Sequence, residues 1–203
     1  MFKYEKRLEY PINIKNKDIE LAKILITQYG GANGELAAAL RYLNQRYIMP
    51  DNRGRALLTD IGNEEMGHVE MLATMCYQLL KNASIEEIKE AGLSSHYAEH
   101  KRGVYPTDSN GVPFTVSYFA STGDYLADLS EDMAAEEKAR AVYENLIDLT
   151  NDPDVIGPLL WLRQREIVHF NRFKELYNIY KKEFKMKCTL YSRHYKKRLL
   201  KIC

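Results

Sequence analysis

The sequence predicts an all-α fold: a four-helix bundle with a long crossover between its second and third helices. Three observations lead there. Four long segments carry apolar residues at helical spacing, two short breaks pair those segments into hairpins, and one set of acid and histidine positions recurs in both hairpins.

Helix A runs from about Asp18, a suitable N-cap, to near Tyr47 and stops before Met49-Pro50-Asp51, because proline disfavours helical backbone in the residue before it. Helix B follows from about Asn52 to Lys81, and the short connection makes A and B antiparallel neighbours. Residues 82 to about 120 hold a small helix opened by the capping box Ser84-Ile85-Glu86-Glu87, then a loop with Gly103, Pro106, Asn110-Gly111 and Pro113. A connection of that length is expected of a crossover or a functional loop. Helix C occupies roughly 121 to 149, Asn151-Asp152-Pro153 breaks it, and helix D runs from about 154 to 184. Gly30, Gly31 and Gly34 each cost helix A roughly 1 kcal/mol of propensity against alanine, a loss that close packing must offset.

The recurring set is a lone glutamate followed by Glu-x-x-His. Glu35 precedes Glu65 and His68 by the intervals at which Glu136 precedes Glu166 and His169, and the copies lie 101 residues apart. Two half-sites are thus written into one chain. Glu and His three apart on a helix share a face, and carboxylate oxygen with imidazole nitrogen suits manganese, iron or zinc.

The faces that carry these residues are apolar. One stripe reads Leu58, Ile61, Glu65, His68, Leu72, Met75, Leu79, and its counterpart reads Leu159, Leu162, Glu166, His169, Phe173, Leu176, Tyr180. Glu35 lies on a stripe with Leu21, Leu25, Gln28, Ala32, Ala39 and Tyr42, and Glu136 on one with Leu129, Met133, Arg140, Tyr143 and Ile147. A buried isolated carboxylate costs several kcal/mol even after relaxation, so four that converge imply cations between them. This is the inventory of ferritin-like carboxylate bundles. The stripe also selects Glu136 over Glu137, which would align with Ser130, Ala134 and Ala141.

Composition agrees with one compact domain over residues 1–184. The 203-residue chain can bury a sizeable core, its 45% apolar content is ordinary, and a net charge of +1 gives no reason to expect nucleic acid or an anionic membrane. The N-terminus has no apolar core of signal-peptide length and no run approaches a membrane span, so a protein kept inside a cell is expected. Cys76, Cys188 and Cys203 are too scattered for a disulfide framework or a thiolate site, and Cys76 reads as packing. His96 and His100 read as loop polar residues. Gly67 reads either as clearance beside the site or as a surface glycine. Residues 185–203 carry seven Lys and Arg, His194 and no acid, a basic tail that reads as a solvated terminus or as a docking segment.

The segments from Gln28 to Ala39, Asp60 to Glu70, Asp128 to Arg140 and Leu162 to Phe170 together resemble the manganese catalases, and within them the shorter catalase-like proteins of bacterial spore coats. The likeness covers about residues 1 to 185. It implies a ferritin-like bundle with two manganese ions per chain that disproportionate hydrogen peroxide to water and dioxygen. It further implies that Glu35 and His68 serve one metal, Glu136 and His169 the other, and Glu65 both. Glu166 then lies just outside the ligand set as a proton carrier. Charge counting agrees, since three ligand carboxylates and a bridging hydroxide balance two divalent ions without Glu166. The resemblance also implies a homo-oligomer, a hexamer in the family, and a location in the cytoplasm or in a spore coat made in the mother cell, beside other coat proteins.

Two alternatives stay open at this level. In a di-iron ferritin-like or rubrerythrin-like protein Glu166 would be a ligand, which the internal symmetry fits equally well, and oxygen and imidazole donors accept iron as readily as manganese. A structural spore-coat protein could use the metals to stabilise the bundle and some of its fifteen tyrosines, among them Tyr42, Tyr97, Tyr105, Tyr118 and Tyr191, for cross-linking.

Overall fold

The computed structural model describes residues 3, 5, 7–93 and 103–199, with side chains through residue 186. His96, His100 and Tyr97 lie outside the described residues, as do the side chains of Cys188, Tyr191 and Cys203. Six α-helices are present among them: α1 (Ile19–Gly30), α2 (Glu35–Gln45), α3 (Asn52–Leu79), α4 (Ile85–Glu90), α5 (Tyr125–Asp148) and α6 (Pro153–Leu199). Their order is that of the all-α four-helix bundle, with α1 and α2 together forming its first member. No helix among the described residues is long and apolar enough to cross a membrane.

Each long helix starts where a side chain can satisfy its free amides. Asp18 accepts from the Leu21 amide (2.9 Å), Asp51 from those of Arg53 and Gly54, and Asp124 from those of Leu126 and Ala127 (2.9 Å each). Ser84 and Glu87 form the expected capping box on α4.

Helix A is not continuous. Between Gly30 and Glu35 the chain leaves helical geometry, with extended backbone at Gly31 (φ −78°, ψ 175°) and Gly34 (φ −87°, ψ 170°). The expected close packing holds at Gly30, where a Cβ would collide with the Pro106–Thr107 backbone of the crossover. The same break makes Glu35 the first residue of α2, where the positive end of the helix dipole favours its charge. At the other end of the chain α6 runs on to Leu199, so the boundary read at 184/185 falls inside a helix.

Pairings across the bundle give its layout. Asp51 and Gly54 meet Tyr180, Asp60 meets Arg172 and Glu64 meets Arg165, so α3 and α6 run antiparallel. Tyr42 meets Glu136 and Glu35 meets Tyr143, so α2 and α5 do likewise. Two apolar clusters flank the level at which these pairs cross. Leu25, Met71, Leu72, Met75, Cys76, Leu159 and Leu162 pack on one side; Leu58, Ile61, Leu129, Met49, Leu176 and Tyr180 pack on the other. Cys76 is a buried free thiol within the first, as its place near the stripe implies.

Candidate metal centre

The polar layer between those clusters contains all six residues of the repeat. Glu65, His68 and His169 are fully buried, and Glu35, Glu136 and Glu166 are within 2% of being so. Four helices contribute: Glu35 from α2, Glu65 and His68 from α3, Glu136 from α5, Glu166 and His169 from α6.

Glu65 stands at the centre. Its Oε2 lies 2.6 Å from His68 Nδ1 and its Oε1 lies 2.7 Å from His169 Nδ1, so its two oxygens divide between the two half-sites. Around His68 Nδ1 gather Glu35 Oε2 at 3.8 Å and Glu166 Oε1 at 3.9 Å, while Glu136 Oε2 lies 3.6 Å from His169 Nδ1. One donor atom each from Glu35, Glu65, His68 and Glu166 fits within 4.8 Å of the others, and so does one each from Glu65, Glu136 and His169. The imidazoles stack between the helices, with centroids 5.6 Å apart and planes 22° from parallel.

The electrostatics are those of a crowded, buried anionic site. Burial first, then the charge of Glu65, raises Glu35 to about 8. Burial and the charges of Glu35, Glu136 and Glu65 push Glu166 well above the carboxylate range. Burial opposes the charge on Glu65 too, but His169 and His68 together outweigh it and hold that carboxyl well below the range. Against its own burial, His68 is raised to about 10 by Glu65 and Glu35, and His169 is raised in the same way, chiefly by Glu65.

The donor set fits divalent metal ions. Glu65 Oε1, Glu136 Oε2, Glu166 Oε1 and His169 Nδ1 are buried and make no hydrogen bond among the described residues, although Glu65 Oε1 and His169 Nδ1 are only 2.7 Å apart. Carboxylate oxygens and imidazole nitrogens gathered this closely in a buried layer are the donor types that a divalent ion takes. Glu35 and Glu136 are each also anchored from the opposite helix. Tyr143 on α5 donates to Glu35 Oε1, and Tyr42 on α2 donates to Glu136 Oε1 (2.5 Å). Glu137, the rejected neighbour, turns outward and accepts from Arg140 Nε at 2.9 Å, with a side chain 45% exposed.

Some residues around the site were not assigned to it by the spacing of the Glu and His repeat. Tyr42 and Tyr143 stand seven residues after Glu35 and Glu136, so the 101-residue interval extends to them and would have revealed the pair. Glu64 is buried against Arg165 and faces the far side of both imidazoles (Nε2 of His169 at 3.3 Å and of His68 at 4.0 Å). Trp161 packs edge-on against His68. Gly67 does provide clearance, though for Glu9 of the N-terminal arm, whose carboxylate occupies the space a Cβ would need.

The comparisons with known proteins agree with this geometry. Residues 1–201 match the family described as manganese containing catalase. The chain is 56% identical to Protein CotJC of Bacillus subtilis over 90% of its own length and 96% of that protein. It is 36% identical to a probable manganese catalase of Clostridium acetobutylicum over 90% of its length and 82% of that relative's. Its fold superposes on the crystal structure of KatB, a manganese catalase from Anabaena, with a TM-score of 0.78 at 32% identity, covering 89% of this chain and 81% of that one. A buried layer of four carboxylates and two histidines inside a helical bundle, on a chain with these relatives, places the protein in the manganese-containing catalase family.

Proposed function

We propose that each chain holds two manganese ions, one served by Glu35 and His68 and one by Glu136 and His169, with Glu65 shared, and that it converts hydrogen peroxide to water and dioxygen. The observation that carries this reading is the division of Glu65 between the two histidines, 2.6 Å from one and 2.7 Å from the other. When bound, the metals supply paired one-electron redox steps, so that a two-electron substrate reacts without releasing radicals.

The protein's own contribution is proton handling and access. Peroxide gives up a proton on binding, and a proton must return to the leaving oxygen as the O–O bond breaks. Glu166 is the residue to carry it. It is almost wholly buried beside the half-site of Glu35 and His68, where burial and three neighbouring carboxylates favour the protonated form. A small cavity of about 10 Å³, room for about one molecule the size of water, is lined by Glu35 and Glu166 with Asn33, Ala135 and Ala139.

The second reading makes Glu166 a metal ligand, as in an iron-type ferritin-like protein. Its grouping with Glu35, Glu65 and His68 favours that role, whereas its absence from the group of Glu65, Glu136 and His169 runs against a symmetric pair of bridges. A homo-oligomer, a hexamer by resemblance, in the cytoplasm or in a spore coat beside other coat proteins, completes the proposal. Oxygen evolution from peroxide by the purified, manganese-loaded protein tests it. Evolution supports the enzyme, and a loaded protein that evolves none is a structural metalloprotein.

A further inference from the structure

The two imidazoles lie between consecutive glutamates. Glu65 faces both Nδ1 atoms, and Glu64 faces both Nε2 atoms from the opposite side, its Oε1 lying 3.3 Å from His169 and 4.0 Å from His68. Consecutive residues on a helix point about 100° apart, so one turn of α3 delivers a carboxylate to each edge of the ring pair. Neither Nε2 makes a hydrogen bond among the described residues, and both are buried. A neutral imidazole that gives its Nδ1 lone pair to a metal must carry its proton on Nε2, and that proton needs an acceptor. Behind Glu64 stands Arg165, whose Nε lies 2.5 Å from the same Oε1.

We propose that Glu64 is the positioning residue for both ligand histidines, and that the balance between Glu64 and Arg165 sets, through the two rings, how strongly the metals are held and how readily they are oxidised. Accepting the Nε2 proton gives each imidazole more anionic character and makes it a stronger donor at Nδ1, which favours the higher oxidation state. Arg165 competes for the same oxygen and moderates that effect. One carboxylate thereby acts on both ions together, which suits a reaction in which the two metals change oxidation state in concert.

A plain ion pair tying α3 to α6 would also explain the contact. The two helices share another such link, Asp60 to Arg172 at 2.6 Å, which supplies the control. The inference rests on Glu65, His68 and His169 holding the metals, but its test does not depend on turnover.

Midpoint potential and manganese affinity are to be measured on the full-length di-manganese protein and on three variants. Glu64→Gln, which leaves only a weaker neutral acceptor, is expected to lose about 10- to 100-fold in manganese affinity and to show a raised potential. Arg165→Gln, which frees Glu64 to the rings, is expected to show a lowered potential. Asp60→Asn is expected to leave both quantities unchanged while lowering the melting temperature. Equal potentials in all four proteins, or shifts of the same sign in Glu64→Gln and Arg165→Gln, overturn the inference. Should Glu64→Gln fail to fold, the sign for Arg165→Gln decides alone, and an unchanged or raised potential refutes it. A wild-type protein that holds two manganese ions but evolves no oxygen defeats the catalase reading without touching this one.

Discussion

Tyr143 on α5 donates its hydroxyl proton to Glu35 on α2, 108 residues away in sequence, and both side chains are buried. Tyr42 and Glu136 form the mirror contact, so Glu35 and Glu136 are each fixed by a phenol from the helix that supplies the other one. The crossed pair locks α2 and α5 in register and leaves each carboxylate one oxygen turned toward a histidine.

Replacing either phenol removes a donor from a buried acceptor. Tyr143→Phe and Tyr42→Phe are each expected to cost about 1–3 kcal/mol of stability and about 10- to 100-fold in metal affinity. Thermal melts and manganese titrations of the two variants check this. A variant that binds and melts like the wild type would show that its tyrosine only fills space.

Glu65 and Glu137 should differ in kind. Glu65→Ala removes the carboxylate that faces the Nδ1 atoms of both histidines and is expected to lose both metals, whereas Glu137→Ala, at an exposed position paired with Arg140, is expected to retain them. Metal content of the two purified variants is the check. The reverse pattern would mean that α5 presents the other glutamate inward.

Glu166→Gln separates the two readings of that residue. The amide keeps the size and much of the hydrogen bonding of the acid but takes up no proton, so full metal occupancy with turnover reduced by about 10²- to 10⁴-fold is expected. Metal content and oxygen evolution are to be read on one preparation. Lost occupancy would make Glu166 a ligand, and full occupancy with unchanged turnover would remove it from proton transfer.

The metal-free protein should weaken as pH rises. Glu35, raised from 4.5 to about 8 by burial and by Glu65, and His68, raised from 6.5 to about 10 by Glu65 and Glu35 against its burial, both hold protons in the folded state that the unfolded chain has released. Folded stability from these groups is therefore fully present below pH 4.5 for Glu35 and below pH 6.5 for His68, and is lost as pH rises through about 8 and about 10 respectively. Metal binding expels those protons, so it strengthens over the same range. Melting of the chelated and loaded forms between pH 6 and 9 should show a gap that widens with pH, with the chelated form falling. A chelated form that becomes more stable toward pH 9 contradicts the proton assignment.

Most of the centre was legible because helical periodicity alone places Glu65, His68, Glu166 and His169 on apolar stripes, and burial of acid on such stripes requires a cation. The break in the first helix was not. Gly30 and Gly34 could be costed as helix residues, but the collision that makes glycine necessary at position 30 comes from Pro106 and Thr107, far along the chain. The inward turn of Glu64 was equally hidden, since it sits at the edge of the stripe and its partner Arg165 lies on α6, 101 residues away in sequence. The continuation of the last helix to Leu199 runs through a segment rich in Lys and Arg and without acid, which reads as a solvated tail rather than as an apolar helical stripe.

Metal analysis of the purified native protein, with oxygen evolution from peroxide measured on the same sample, tests the di-manganese catalase most directly. The expected result is two manganese ions per chain and steady conversion of peroxide to dioxygen, both abolished by chelation and restored by manganese. Iron in place of manganese, a single ion per chain, or a fully loaded protein that leaves peroxide untouched would contradict it.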